Sequence, residues 1–130
     1  MVKRLVFLLT ILCAGCSGSP IKPSAFNTTF TGTVTPFGTS RETLQVPRAG
    51  AMTVSLTWSD PSVDLDLYLA PTSCTTLYPI ASCGILAAAT STSTTETLNR
   101  NVASNENFAI FVDNLNISKP AAYTIAVSIP

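Results

Sequence analysis

The chain has 130 residues, enough for one domain, and its seven Lys and Arg residues balance seven Asp and Glu residues. This charge balance excludes the basic surface on which nucleic-acid binding depends. His is absent, which removes the commonest general base and the commonest metal ligand. Only 11% of the residues are charged, and Thr and Ser fill many polar positions, a composition that suits exposed strand faces better than helices.

The N-terminus has the layout of an export signal. Lys3 and Arg4 form a basic region, and residues 5–12 form an apolar run. This run is too short to span a bilayer, which needs about 20 apolar residues. The Ala-Gly-Cys sequence of residues 14–16 then resembles the end of a bacterial lipoprotein signal, in which the cysteine, here Cys16, receives the lipid.

This resemblance implies that residues 1–15 are a signal peptide and that Cys16 becomes the lipidated N-terminus. It also implies a place in the bacterial cell envelope, with the membrane as a partner through the lipid. Ser17 follows the cysteine, which implies the outer membrane if the host has one. The alternative is an ordinary secretory signal that is cleaved after Gly15 or Gly18.

A short tether is expected between the lipid and the folded domain. Residues 17–25 contain two prolines, three serines and a glycine, a composition typical of a linker. Counted from the cysteine, the tether covers residues 16–25. The folded domain then covers residues 26–130.

Short stretches that alternate polar and apolar residues follow the tether, and turn residues separate them. We expect strands at residues 26–34, 41–46, 52–58, 63–69, 96–102, 108–112 and 123–129. The short apolar run at residues 85–89 would make an eighth strand. Seven to eight short strands with regular turn signals predict an all-β protein with an antiparallel β-sandwich.

The most informative stretch is residues 54–69, which reads VSLTWSDPSVDLDLYL. Aliphatic residues alternate there with Asp64, Asp66 and Tyr68. Because side chains alternate across a strand, this predicts a half-buried strand with an acidic outer face. The same alternation predicts a common core made of Met52, Val54, Leu56, Trp58, Val63, Leu65, Leu67, Leu69, Phe108, Ile110, Val112, Ile125 and Val127.

Two cysteines, Cys74 and Cys83, bracket a short irregular stretch. In an exported chain whose Cys16 carries lipid, a disulfide between them is expected, with two free thiols as the alternative. A zinc site is disfavoured, because two cysteines without any His cannot complete one.

Four acidic residues raise the question of calcium. Asp64 and Asp66 would emerge on one strand face roughly 6–7 Å apart along the chain. Asp60 in the preceding turn and Asp113 at the end of another strand would add oxygen ligands, of which calcium prefers six to eight. In the alternative, Asp60 caps its own turn, and the strand aspartates accept hydrogen bonds from neighbouring Thr, Arg or backbone groups. The absence of a spaced Asp/Asn/Gly loop favours this alternative, so no cofactor is predicted and calcium stays a hypothesis.

Four short motifs carry a family resemblance, at residues 56–58 (LTW), 64–69 (DLDLYL), 96–98 (ETL) and 122–125 (AYTI). From about residue 30 to residue 129 the chain resembles the bacterial pre-peptidase C-terminal (PPC) domain. The resemblance implies a small jelly-roll-like β-sandwich that usually follows the catalytic domain of secreted peptidases, with calcium binding in relatives from collagenases. No catalytic domain is expected ahead of this module, so the resemblance does not imply peptidase activity.

The residues favour binding over catalysis, and we expect no enzymatic activity. No His is present to activate a Ser or Thr, and a Ser–Lys pair would need Lys22, in the tether, or Lys119. The expected function is an envelope-anchored module that binds an envelope protein, a peptide or a glycan. One alternative is a structural lipoprotein that pairs with a partner through a sheet edge, and a remote one is an accessory subunit of a secreted peptidase.

Two features would separate these functions. An exposed aromatic cluster on a sheet face would favour a glycan, and an uncapped edge strand would favour a partner strand. Phe37, Tyr68 and Tyr78 are the aromatic residues that the pattern assigns least clearly to the core.

Overall fold

The computed structural model describes residues 23–130 together with Gly18 and Ile21, so residues 1–15, Cys16 and part of the predicted tether lie outside it. The described part contains one short helix, α1 (Ile80–Cys83). No helix within it has the length and apolar character needed to cross a bilayer. Its eight strands are β1 (Phe26–Val34), β2 (Thr39–Gln45), β3 (Gly50–Trp58), β4 (Leu65–Pro71), β5 (Ala87–Ala89), β6 (Thr95–Val102), β7 (Asn107–Asn114) and β8 (Ala121–Ile129).

The strands form two four-stranded antiparallel sheets with the orders β1-β8-β3-β6 and β2-β7-β4-β5. Alternate residues of β3 and β8 are buried, as expected for strands with one face on a core. The predicted antiparallel β-sandwich of seven to eight strands is therefore confirmed, and residues 85–89 do contribute the eighth strand.

The core lies between the two sheets. Every residue of the predicted core is buried in one hydrophobic cluster. Trp58 belongs to it, and its indole N–H donates a hydrogen bond to the Val63 carbonyl over 2.9 Å. A buried indole needs such a partner. This bond also ties together the two ends of the turn between β3 and β4.

One prediction about β4 is wrong. Its outer face is not a solvated acidic face, because Asp66 and Tyr68 are only 6% and 8% exposed. Residues 72–86, which we call the disulfide segment, fold over the outer faces of β4 and β7. Leu77 of this segment packs in a second buried cluster with Tyr68 and with Phe111 of β7. The strand is thus buried on both faces.

Candidate functional site

Three connections meet at one end of the sandwich, and we call this surface the loop end. It consists of residues 35–38, 59–64 and 115–120, which join β1 to β2, β3 to β4 and β7 to β8. Backbone hydrogen bonds link the three loops. The Phe37 N–H donates to the Asn116 carbonyl over 3.0 Å, and the Leu115 N–H donates to the Asp64 carbonyl over 3.1 Å.

Two asparagine side chains hold the loop end together. The Asn114 amide, in a residue that is 1% exposed, donates to the carbonyls of Thr35 (3.1 Å) and Lys119 (2.8 Å). The Asn116 amide donates to the Ser62 carbonyl over 3.0 Å, and its oxygen accepts from the Lys119 N–H over 2.8 Å. Because these bonds satisfy backbone groups that no strand partner reaches, they fix the loops in one arrangement.

Phe37 is the unusual residue of this surface. It is the third residue of a turn that begins at Thr35, in which the Gly38 N–H donates to the Thr35 carbonyl over 2.9 Å. Its φ of +50° is in the left-handed region, where this turn position normally carries Gly or Asn. Phe37 is nevertheless 71% exposed, and Leu115 (43%) and Ile117 (71%) are exposed on the neighbouring loop.

The loop end also contains the Ser–Lys pair that the sequence left open. The Lys119 ammonium donates to the Ser62 hydroxyl over 2.6 Å and lies 3.5 Å from an Asp60 carboxylate oxygen. The Ser62 hydroxyl in turn donates to the other Asp60 oxygen over 2.6 Å. The Lys119 side chain is 52% exposed, and its ammonium joins the loop of residues 115–120 to Ser62 and Asp60 of the loop of residues 59–64. The trio therefore acts as a tie between two loops.

Asp60 caps its own turn, as the alternative to calcium binding predicted. One of its carboxylate oxygens accepts from the Ser62 backbone N–H over 2.9 Å. The Ser62 hydroxyl and N–H, helped by the nearby Lys119 ammonium, lower the pKa of the Asp60 carboxyl below its ordinary value. Asp60 thus engages a cation of its own chain.

Two of the other predicted acids meet beneath the disulfide segment. Asp66 and Asp113 are directly paired across β4 and β7 and are 6% and 2% exposed. Asp66 accepts a hydrogen bond from the Tyr68 hydroxyl over 3.0 Å. Asp113 accepts one from the Thr39 hydroxyl over 2.9 Å and another from the Tyr78 hydroxyl. Hydroxyl groups of this chain therefore occupy several of the oxygens that a cation would use.

The arrangement fits calcium poorly. Within residues 23–130, no three Asp, Glu, Cys or His residues are grouped so that they could hold a metal ion. One oxygen of Asp64 is buried without a hydrogen-bond partner in the described residues, which departs from the predicted Thr, Arg or backbone donors. Asp66 also departs from that prediction, because its donor is Tyr68. Calcium binding by these aspartates stays a hypothesis.

Burial and charge perturb the titrating groups in this region. Burial, together with the negative charges of Asp64, Asp113 and Glu96, raises the pKa of Asp66, although its bond with Tyr68 opposes the shift. The hydrogen bond to Asp113 and burial raise the pKa of Tyr78 to about 12. Two buried carboxyls thus face each other at some electrostatic cost.

We expect Asp66→Asn to raise the melting temperature at neutral pH. The unfolded carboxyl loses its proton near the ordinary pKa of 3.8, whereas the folded carboxyl holds it to higher pH. Stability therefore falls as pH rises above the ordinary pKa, so the ionised Asp66 carboxyl costs stability at neutral pH. Asn cannot ionise and can still accept the Tyr68 hydrogen bond, so the variant avoids this loss.

The gain should vanish below pH 3.8, which thermal melts across a pH series would show. Asp60→Asn is the matched control with the opposite sign. Because the Asp60 pKa is lowered, its contribution is present at neutral pH, and this variant should lose stability there. A neutral-pH melting temperature that Asp66→Asn lowers would contradict the prediction. Melts with added calcium and with chelator, on the same variants, test the calcium hypothesis.

The predicted disulfide is present. Cys74 and Cys83 are bonded, with 5.0 Å between their Cα atoms, and the bond braces the disulfide segment. Arg41 of β2 holds the start of this segment by donating to the carbonyls of Thr72 (3.0 Å) and Cys74 (3.1 Å). A cavity of about 240 Å³ lies beside it, and its lining consists of Thr39, Arg41, Thr75, Thr76, Leu77, Tyr78 and Phe111.

The three unassigned aromatic residues now have places. Phe37 is exposed on the loop end, Tyr78 is 53% exposed on the disulfide segment, and Tyr68 is buried beneath that segment. Sequence reasoning missed Leu115 and Ile117, because they lie in a polar turn where periodicity gives no face. The only signal in the sequence was the presence of apolar residues among the polar residues of a turn.

No protein-family model matches the chain. No curated protein matches it either. Among solved structures, it is similar to PliG of Aeromonas hydrophila, a periplasmic inhibitor of g-type lysozyme, with a TM-score of 0.61 and 15% identity over 82% of this chain and 88% of PliG.

Two further structures are similar. The pre-peptidase C-terminal domain of a Bacillus anthracis collagenase has a TM-score of 0.57 and 18% identity, and the match covers 78% of this chain and 88% of that domain. The Yersinia pseudotuberculosis-derived mitogen has a TM-score of 0.59 and 14% identity, with 82% and 88% covered. At such identities the likeness shows the fold alone, and at that level it confirms the predicted resemblance to a PPC domain.

Proposed function

We propose that this protein is a lipid-anchored, non-catalytic recognition module of the bacterial envelope, and that its loop end binds another envelope protein. The observation that carries the proposal is Phe37, a large apolar side chain that is 71% exposed on a residue with positive φ. A side chain in that conformation costs roughly 1–2 kcal/mol relative to ordinary backbone. Retaining it in solvent gives the fold nothing in return, which is typical of a residue kept for binding.

The surroundings of Phe37 suit recognition. Leu115 and Ile117 add exposed apolar surface on a neighbouring loop, and the Asn114 and Asn116 amides hold that loop still. A surface that is already ordered loses little conformational entropy on binding. An apolar centre with Asp60 and Lys119 at its side has the composition of a protein interface, with an apolar core and a polar rim.

A protein partner is favoured over a glycan. A glycan site would need aromatic rings grouped on a sheet face, and the exposed apolar surface of the loop end is one Phe beside two aliphatic residues. A bound peptide or an accessory role beside a secreted peptidase would use the same surface. The resemblance to a collagenase PPC domain and to a periplasmic lysozyme inhibitor, together with the disulfide, supports a place outside the cytoplasm.

We expect Phe37→Gly to weaken partner binding at least about tenfold, as truncation of an aromatic anchor does. Its stability should stay the same or rise slightly, because Gly adopts positive φ without strain. Cross-linking and pull-down of the full chain from its own envelope, followed by affinity measurement with the captured protein, would show this. Ile21→Gly, which removes a 95% exposed apolar side chain outside the loop end, is the matched control and should bind normally.

Equal capture by wild type and Phe37→Gly would contradict the assignment of the loop end. Hydrolysis of peptides or esters by the purified protein, abolished by Lys119→Ala, would contradict the non-catalytic assignment, since the Lys119 amine lies within hydrogen-bond distance of the Ser62 hydroxyl.

The lipid anchor has a separate test. We expect a fatty-acid probe fed to the producing cells to label the wild type and to leave Cys16→Ser unlabelled, because Cys16 supplies the thiol for acylation. Cys13→Ser should be labelled like the wild type and is the matched control. Label retained by Cys16→Ser would contradict anchoring at this residue.

A further inference from the structure

We propose that two copies of this chain join through β1, so that the β1-β8-β3-β6 sheet continues into the same sheet of a second copy. This interface lies along a sheet edge and goes beyond the proposed binding by the loop end. The strand that pairs with β1 is then β1 of a second copy of the same chain.

β1 is an open edge in the described part of the chain. All nine of its residues pair with β8, from Phe26 opposite Ile129 to Val34 opposite Ala121. No other backbone segment among residues 23–130 is hydrogen-bonded to β1. An edge of this length presents a row of unpaired backbone groups that another strand can use.

β1 also lacks the features that usually protect an edge. It contains no charged residue and no Pro, and its register with β8 is continuous, without a bulge. The other edges differ. β6 carries Glu96 and Arg100 on its inward face, β2 carries Arg41 and Glu42, and β5 has only three residues. Inward charges and short strands are known protections against edge pairing.

Partly exposed apolar side chains on the inward face of β1 also favour pairing. Phe26 and Phe30 pack against the core but remain only partly buried, whereas the corresponding residues of β3 and β8 are fully covered. An additional strand beside β1 would cover their open flank. Burial of that apolar area would add to the backbone hydrogen bonds.

The composition of β1 favours a second copy as the occupant. In an antiparallel pair centred on Phe30, Thr29 faces Thr31 of the other copy, Asn27 faces Thr33, and Phe26 faces Val34. Every pair in this register is uncharged, and Thr–Thr pairs across strands are favourable. A two-fold axis repeats each contact, which is the commonest way for identical chains to associate.

The first experiment uses disulfide trapping in the cell envelope. Directly opposed residues of an antiparallel pair have Cα atoms about 4.5–5.5 Å apart, which suits a disulfide. When one full chain carries Thr29→Cys, a second carries Thr31→Cys and the two are produced in the same cells, they should form a disulfide-linked dimer. Thr95→Cys and Thr97→Cys, exposed on the opposite edge of the sheet, should not. A link from the β1 cysteines to a different protein would overturn the proposal.

The second experiment uses charge. In sedimentation of the full chain in detergent, Thr29→Lys with Thr31→Lys should reduce the dimer fraction at least tenfold, because Lys then faces Lys across the axis. Mixing this variant with Thr29→Glu/Thr31→Glu should restore a dimer of one copy of each. Thr95→Lys with Thr97→Lys is the charge-matched control and should dimerise as the wild type does. A wild type that is monomeric throughout, or a dimer that survives the lysines on β1, would overturn the proposal.

Discussion

Leu67→Ala is expected to lower the free energy of unfolding by about 2–5 kcal/mol, the range for removing a large aliphatic side chain from a core. Leu67 is fully buried in the middle of β4, paired with Val112 of β7 on one side and Ala89 of β5 on the other. Neighbours on both flanks and in the facing sheet limit how far the site can collapse, so a cavity would remain.

The measurement is a denaturant titration of wild type and variant, with stability read from the midpoint and slope. Leu86→Ala is the matched control, because the same truncation at a side chain that is 37% exposed should cost about 1 kcal/mol or less. If the two variants lost the same amount, the core assignment of β4 would be wrong.

Removing the disulfide with Cys74→Ala and Cys83→Ala should cost about 2–4 kcal/mol. The bond joins residues nine apart and restricts the unfolded chain. It also holds the segment that covers Tyr68 and Phe111, so amide hydrogen exchange should rise over residues 72–86 and β4 in the double variant.

Treatment of both proteins with a reducing agent separates the effect of the disulfide from that of the substitutions. A reducing agent should destabilise the wild type by a similar amount and leave the double variant unchanged, because that variant has no bond to reduce. Ser82→Ala, on the same short helix as Cys83, should behave like the wild type. Two alkylatable thiols in freshly exported wild type would contradict the prediction.

The loop end was only partly predictable. Turn residues were expected between the first two strands, and the structure has a turn at residues 35–38, with β2 beginning at Thr39. Its grouping with residues 59–64 and 115–120 could not be predicted, because the three loops meet only when β1, β3 and β7 end at the same side of the sandwich. The Ser62–Lys119 bond joins residues 57 apart in the chain and has no local signal.

Local chemistry decided the strands and the core. Apolar residues with a period of two in β3 and β8 specify which face is buried, since the alternation of side chains is a property of the extended backbone itself. For this reason every residue of the predicted core, from Met52 to Val127, is buried in the observed core, which also includes residues of β1, β2 and β6.

Tertiary structure alone decided the environment of Asp66 and Tyr68. Alternation placed both on the outer face of β4, and it could not show that the disulfide segment folds back over that face. Whether an outward face meets water or protein depends on contacts between segments distant in sequence, which local periodicity does not encode. The same physical reason applies to β1. Nine consecutive residues show that this strand carries no charge, whereas only the order of the strands in the sheet determines that it lies at an open edge.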